Sequence, residues 1–286
     1  MLTCYYDLAR CLPSYDIVTF LMASEHERLK RKEDSLAIEI LPGPHEGFRP
    51  GNLWPPATAD RRAMMQNVVL PMCALLPSCE RVTVHDDRVP QIANSFGYGS
   101  FTIGMERFVA AMAAGVRPLR LDQPVVRDSH LVTITSREAE HWPARNSTLT
   151  EWTKAARELE GLGYRVVFVR DTCKADEPLE SFETFPGASR DLARRAQLYL
   201  GAGCNLFVSN GPAWFALALD APVAIIRPAT DGAGKLSSHA ALASAGLPKG
   251  SQIPGTPGYQ VLVWDDDRAG VIVQTTAGFM NQRLAS

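Results

Sequence analysis

The chain has 286 residues, 46% of them hydrophobic and 21% charged. That is the balance of a globular protein with one large domain or two ordinary ones. Its formal net charge of −2 leaves no net basic field to attract nucleic acid or an anionic membrane.

Met1 to Arg10 lacks the basic stretch and apolar core of a secretory signal. Apolar runs such as Val223 to Ile226 fall short of the roughly 20 residues that span a bilayer. We therefore expect a cytoplasmic protein with no transmembrane segment. The six cysteines, at 4, 11, 73, 79, 173 and 204, form no C-x-x-C pair. They read as thiols in a reducing compartment, without a structural zinc.

In the first half, Ser14 to Lys32 has helical spacing through Ile17, Phe20, Leu21, Ser24 and Arg28. Leu36 to Leu41 reads as a strand, stopped by Pro42-Gly43-Pro44. Asp60 to Leu76 reads as a helix broken or kinked at Pro71. Arg81 to His85 is a short strand, and Met105 to Ala114 a helix closed by Gly115. Leu121 to Ser129, with Pro124 and several charges, reads as a linker.

The second half alternates more sharply. Leu131 to Thr135 is an apolar, β-branched strand. Thr148-x-x-Glu151 matches a capping box and opens a helix with Leu149, Trp152, Ala156 and Leu159 on one face. Gly161 and Gly163 end it, and Arg165 to Val169 is the next strand. Ser189 is placed to cap a helix to about Leu200. Leu206 to Val208 is a strand, Gly211-Pro212 opens a helix to about Leu219, and Pro222 to Ile226 is a fourth strand. The tail adds a strand, Gln260 to Trp264, and a helix from about Arg268 to Arg283. Near-continuous apolar strands between helices imply a parallel sheet covered on both faces.

In such sheets ligands lie beyond the carboxyl ends of the strands. The loops there hold Arg137 and Glu138, then Arg145, Asn146 and Ser147, and then Ser209, Asn210 and Gly211. Arginine presents a planar fork of donors that matches phosphate. Helix N-termini favour anions, and glycine permits close backbone approach. The competing reading pairs Arg137 and Arg145 with Glu138, Glu140 or Glu151 on the surface.

Two stretches carry a family resemblance: Arg145-Asn146-Ser147-Thr148-Leu149-Thr150-Glu151-Trp152-Thr153-Lys154, followed by Leu159 to Val169, and Phe207 to Val223, which contains Ser209-Asn210-Gly211-Pro212-Ala213-Trp214. Over Leu131 to Ala229 the chain resembles the donor-binding half of the heptosyltransferase-type glycosyltransferases. The Arg-Asn-Ser run also resembles the related fucosyltransferases. The family shows Asp-Ser/Thr-Gly-Pro-x-His-x-Ala-x-Ala-Leu-x-x-Pro-Val. Here Asn210 replaces its acidic residue and Trp214 its histidine.

The resemblance implies an α/β protein of GT-B architecture, two Rossmann-like domains with an interdomain cleft. Residues 1–122 would form an N-terminal acceptor-side domain and 130–266 a donor-binding domain. Residues 267–286 would be a final helix returning toward the N-terminal domain. It also implies a nucleotide-sugar donor, a glycan or lipid-linked acceptor, and no cofactor or metal. Donor binding falls to Arg137, Arg145, Asn146, Ser147, Ser209, Asn210, Gly211 and Trp214. Arg137 and Arg145 would offset charge on the departing diphosphate, and an N-terminal carboxylate would take the acceptor's proton. Asp16 and Glu46 are the candidates. Their plainer readings are a helix-start charge and an ordinary turn residue.

Other motifs carry less. Gly232 to Lys235 resembles a P-loop, but Ala229 and Leu236 break the pattern. Gly97 and Gly99 lack the third glycine of a dinucleotide fingerprint, where Thr102 stands. Asp265-Asp266-Asp267 satisfies the D-x-D pattern of metal-dependent glycosyltransferases, yet reads better as a solvated turn capping the last helix. The six dispersed histidines make no ligand pair; His45 and His85 are secondary candidates after strands. There is no G-x-S-x-G elbow. The leading expectation is a glycosyltransferase. A non-catalytic nucleotide- or sugar-binding protein, or a sugar-nucleotide epimerase or phosphorylase, would use the same fold.

Overall fold

A computed structural model describes residues 1–50, 57–97, 101–231 and 238–284. The chain forms two compact units, Met1–Arg120 and Leu121–Ser286. Both are mixed α/β structures built on a parallel sheet.

In chain order, the first unit contains β1 (Leu2–Asp7), α1 (Ile17–Arg31), β2 (Leu36–Leu41), α2 (Thr58–Met64), α3 (Leu70–Ala74), β3 (Cys79–Val84), β4 (Phe96–Gly97) and α4 (Phe101–Ala113). Its sheet runs β3-β2-β1-β4, with every pairing parallel. Strand β1 was not anticipated from sequence, although it is central. Its residues Thr3-Cys4-Tyr5-Tyr6-Asp7 neither alternate nor form an aliphatic run, and their burial comes from neighbours on both sides. Between α2 and α3 the chain makes a π-helical turn, Met65–Val69, and continues through Pro71. Proline has no N–H and its ring crowds the carbonyl four residues back, so the expected kink is absorbed by one wide turn.

The second unit contains β5 (Asp128–Thr135), α5 (Leu149–Gly161), β6 (Arg165–Val169), β7 (Glu183–Thr184), α6 (Pro186–Arg190), α7 (Leu192–Gly201), β8 (Ala202–Phe207), α8 (Gly211–Ala218), β9 (Val223–Ile226), α9 (His239–Ser244), β10 (Gln260–Val263) and α10 (Ala269–Leu284). The sheet order is β10-β9-β8-β5-β6-β7, all parallel. Strand order therefore reverses at β5: β6 and β7 extend one way, and β8, β9 and β10 the other. Such a reversal leaves a crevice at the strands' carboxyl ends.

Helix α5 buries Trp152, Ala155, Ala156 and Leu159, the i, i+3, i+4, i+7 stripe of a one-sided helix. Burying Trp152 or Leu159 contributes about 1.5–3 kcal/mol each. Helix α10 packs on α5, β8 and β9, and its Ile272, Phe279 and Met280 join the same core. Gly203 lets β8 approach closely: a Cβ there would lie 2.5 Å from the Ser129 carbonyl oxygen.

Two local expectations change. Ser189 does not cap a helix. It lies in α6, where its hydroxyl donates to Arg170 O at 2.7 Å, and Asp191 caps α7 by accepting from Arg194 N at 3.0 Å. The Thr148/Glu151 capping box does not form either. Thr148 donates to Asp267 from both N (2.7 Å) and Oγ1 (3.1 Å). Glu151 accepts the Ala269 N–H of α10 at 2.8 Å. The two helix starts have exchanged acids, because α10 and α5 begin side by side.

Candidate functional site

The loops after β5 and β8 flank the point where the strand order reverses. The β5 loop, 136–147, is closed on itself. Arg137 N donates to Ser147 Oγ at 3.0 Å, and Ser147 N to Arg137 O at 2.9 Å. The Arg137 side chain, 5% exposed, donates to Trp142 O (3.2 Å), His141 O (2.8 Å) and Asn146 Oδ1. Asn146 spans the loop, accepting from Ala139 N at 3.1 Å and donating to Ala139 O at 2.9 Å. Arg137, Asn146 and Ser147, expected to contact a ligand, thus first build the loop. Burial lowers the pKa of Arg137. It pushes His141 down to about 4, with Arg137 and Arg145 adding repulsion.

What this loop presents is Arg145 and Trp142. Arg145 is half-buried, its Nη2 donating to Ser209 O at 3.2 Å and its guanidinium 5.8 Å from the Trp142 ring. Trp142 is held left-handed at φ 52° and is 42% exposed. That backbone is uncommon for a bulky residue and persists because the loop overdetermines it. Arg145 joins the β5 loop to the β8 loop, where Asn210 caps α8 by accepting from Ala213 N at 3.0 Å. Gly211 starts that helix and Trp214 is buried within it.

Two further groups fasten the edge. Arg227, directly after β9 at φ 54°, donates to the Arg145 and Asn146 carbonyls and pairs with Asp267 at 3.2 Å. Its Nε is buried with no partner among the described residues. Asp267, 2% exposed, also accepts from Thr148 and from Trp152 Nε1 at 2.8 Å. The solvated-turn reading of Asp265-Asp266-Asp267 therefore fails at Asp267, which is a buried acceptor between α5, β9 and α10. Glu138 forms a bidentate, nearly buried pair with Arg170 after β6. Burial raises the Asp171 pKa, and that carboxylate accepts from Glu138 N.

In the first unit, Asp16 and Glu46 follow adjacent parallel strands. Asp16 precedes α1, and its carboxylate makes no cap to the helix's backbone. Glu46 is exposed at φ 48° on a tight turn closed by Gly43 N→Gly47 O at 2.8 Å. A Cβ at Gly43 would sit 2.2 Å from the Phe48 carbonyl carbon, so only glycine fits there. Arg49 ties the two loops together by donating to Arg10 O at 3.0 Å. Glu46 also lines a polar cavity of about 430 Å³ with His45, Arg49 and Arg61. His85 packs its Nε2 against Glu39 at 2.6 Å.

No protein-family model matches the chain, and no curated protein matches it in sequence. Solved structures do. The E. coli ADP-heptose LPS heptosyltransferase II is similar over 99% of both chains, with TM-score 0.54 and 9% identity. The fold is that of the heptosyltransferases.

A second match is the dodecameric, iron-containing glycosyltransferase TibC of enterotoxigenic E. coli. It covers 99% of this chain and 76% of TibC, with TM-score 0.51 and 16% identity. TibC in complex with ADP-D-β-D-heptose matches with TM-score 0.53 and 14% identity. Within this heptosyltransferase fold, the departures at Asn210 and Trp214 are a helix cap and a buried ring. Among the described residues, no group of three or more His, Cys, Asp and Glu is arranged to hold a metal. The Gly232 to Lys235 run lies outside the described residues.

Sequence reasoning missed Arg227, because a lone arginine after a strand carries no motif. It set Asp267 aside because three successive acids look solvated. The available signal was position: both residues follow predicted strands of the parallel sheet, where ligand-side groups collect.

Proposed function

We propose that the protein is a glycosyltransferase that moves a sugar from a nucleotide-sugar donor to a hydroxyl of a glycan or glycolipid precursor, without a resident metal. One observation carries the reading. At the strand-order reversal, Arg145 reaches Ser209 O beside the start of α8, in a fold shared end to end with a heptosyltransferase.

In this reading the donor diphosphate lies at the start of α8. Asn210 occupies the Ala213 N–H and Pro212 has none, so phosphate oxygens would meet the α8 start at the Gly211 N–H, beside the Arg145 guanidinium. Arg145 offsets charge on the departing nucleoside diphosphate. Arg137, Asn146, Ser147 and Arg227 keep the loop in place. The acceptor oxygen attacks the anomeric carbon and loses its proton to Asp16, with Glu46 as the other candidate base. Because TibC binds ADP-D-β-D-heptose, an ADP-sugar is the first donor to try. The D-x-D run does not suit a catalytic metal, since Asp267 is engaged by Thr148, Trp152 and Arg227.

A non-catalytic binding protein is the second reading. It is favoured by Asn210 and Trp214, whose side chains are a helix cap and a buried ring. The test is thermal shift with ADP, GDP, UDP, CMP and their sugars, with and without EDTA, followed by turnover assays. A ligand that binds only the folded chain raises Tm. A shift with one nucleotide, insensitive to EDTA and lost in Arg145→Ala, supports the donor site. Release of that nucleotide from its sugar in the presence of acceptor supports transfer. No shift with any nucleotide overturns the donor site. A shift without turnover favours the second reading.

A further inference from the structure

The first unit carries another group of basic side chains, away from the strand ends. His26, Lys30 and Arg31 lie along the second half of α1, and Arg107 comes from α4. With Ala23, Glu27 and Phe96 they line a cavity of about 370 Å³. Ala23, Glu27 and Lys30 recur at helical spacing, so one stripe of α1 forms a wall. Lys30 follows Asp16 by nearly four turns, roughly 20 Å along the helix. The cavity is therefore distant from Asp16, and it shares no lining residue with the Glu46 cavity.

Its charges do not balance. Among the described lining residues, Glu27 is the sole carboxylate. It accepts from Arg31 Nε at 2.7 Å and lies 3.8 Å from Lys30 Nζ. Arg107 instead donates to Gly97 O at 3.1 Å, with its guanidinium 4.8 Å from the Phe96 ring centroid. Arg31 is also tied to the Asn94 carbonyl. An ordinary solvated basic face leaves long side chains free in water. Here both guanidiniums are fixed by backbone carbonyls around a concave space with Ala23 and Phe96 at its apolar side. Preorganised, unbalanced donors of this kind match a dianion.

We propose that this cavity is a phosphate-binding site that takes a phosphate ester or diphosphate, separate from the donor site in the second unit. Arg107, held through Nη1, turns its remaining donors to the oxygens, Arg31, Lys30 and His26 add further donors, and Ala23 and the Arg107-covered Phe96 ring form the apolar side. The phosphate is carried either by a small molecule or by the headgroup of an anionic lipid.

The experiment uses the full chain in an Arg145→Ala background, which removes the proposed donor-site contribution. One arm titrates inorganic pyrophosphate by calorimetry. The other sediments the protein with vesicles of phosphatidic acid and phosphatidylcholine, against phosphatidylcholine alone. The expected result is binding in at least one arm that weakens about tenfold or more in Lys30→Gln/Arg107→Gln. It should be partly restored in Lys30→Arg/Arg107→Lys, which keeps the charge, with circular dichroism unchanged throughout. Pyrophosphate binding assigns a small-molecule ligand, and vesicle binding alone assigns a lipid headgroup. No binding in either arm overturns the proposal, as does binding that the Lys30→Gln/Arg107→Gln pair leaves intact. Because Arg145 is already removed, failure here is independent of failure of the donor site.

Discussion

The carboxyl edges of the two sheets solve the same problem differently. In the second unit the edge is knotted into buried polar contacts. Arg137 is 5% exposed and Asp267 2%, and between them Arg227, Asn146 and Thr148 tie three loops to two helices. In the first unit Asp7 ends β1 and is buried, but its partner Arg88 has half its side chain in water. Glu39 likewise meets an Arg81 that is 57% exposed. Buried polar networks fix one geometry, whereas half-solvated pairs constrain their neighbours less. Under the proposed function, the buried contacts of the second unit would hold a donor in one position, and the more solvated edge of the first would face the acceptor.

The sharpest test of that division is chemical. Asp16→Asn should lower kcat by about 10²–10⁴ while nucleotide affinity and Tm hold. Retained turnover there, with loss in Glu46→Gln, would move the base to the neighbouring loop. Next in size is stability. Asp267→Ala strips an acceptor from Thr148, Trp152 and Arg227 and should cost about 3–5 kcal/mol. Asp7→Ala should cost roughly 1–3 kcal/mol, because water can take over the Arg88 guanidinium. Equal losses in calorimetry would break the comparison between the two edges.

Arg145→Ala should weaken nucleotide binding by about 1.5–3 kcal/mol, read by titration, with little change in the apo melting temperature. A gentler probe is pH. His141 is neutral in the folded chain down to about 4 against an ordinary 6.5. The unfolded chain therefore binds an extra proton in that window, and stability falls as pH drops from 6.5 toward 4. In His141→Gln the denaturant midpoint should fall less steeply over the same range; an unchanged slope would remove His141 from the account. Smallest of all, Arg165→Ala breaks an exposed pair with Glu183 and should cost less than about 1 kcal/mol.

Much of the second unit was legible because its signals are local. Strand β6 runs Arg165–Val169 as expected, and α8 starts at Gly211-Pro212 as expected. The buried face of α5 follows from the spacing of Trp152, Ala156 and Leu159. The first unit was less legible because β1 owes its burial to β2 and β4 rather than to its own pattern. Of the candidate site, the loops were found but the division of labour was not. Arg137 and Arg145 look alike in sequence, yet one is turned inward to close its own loop and the other outward to Ser209.

The sequence by itself determined the alternation of elements, the parallel sheet of the second unit and the loops at its carboxyl edge. Those follow from periodicity, glycine and proline, and the rule that ligands collect at strand ends. Tertiary structure alone decided which polar groups meet. Asp267 and Thr148 are 119 residues apart in sequence yet share a hydrogen bond, and the helix starts at Thr148 and Ala269 exchange their caps for that reason. A carboxylate satisfies whichever donors folding brings beside it. No local pattern records that choice, because the energy of a buried charge depends on partners distant in the chain.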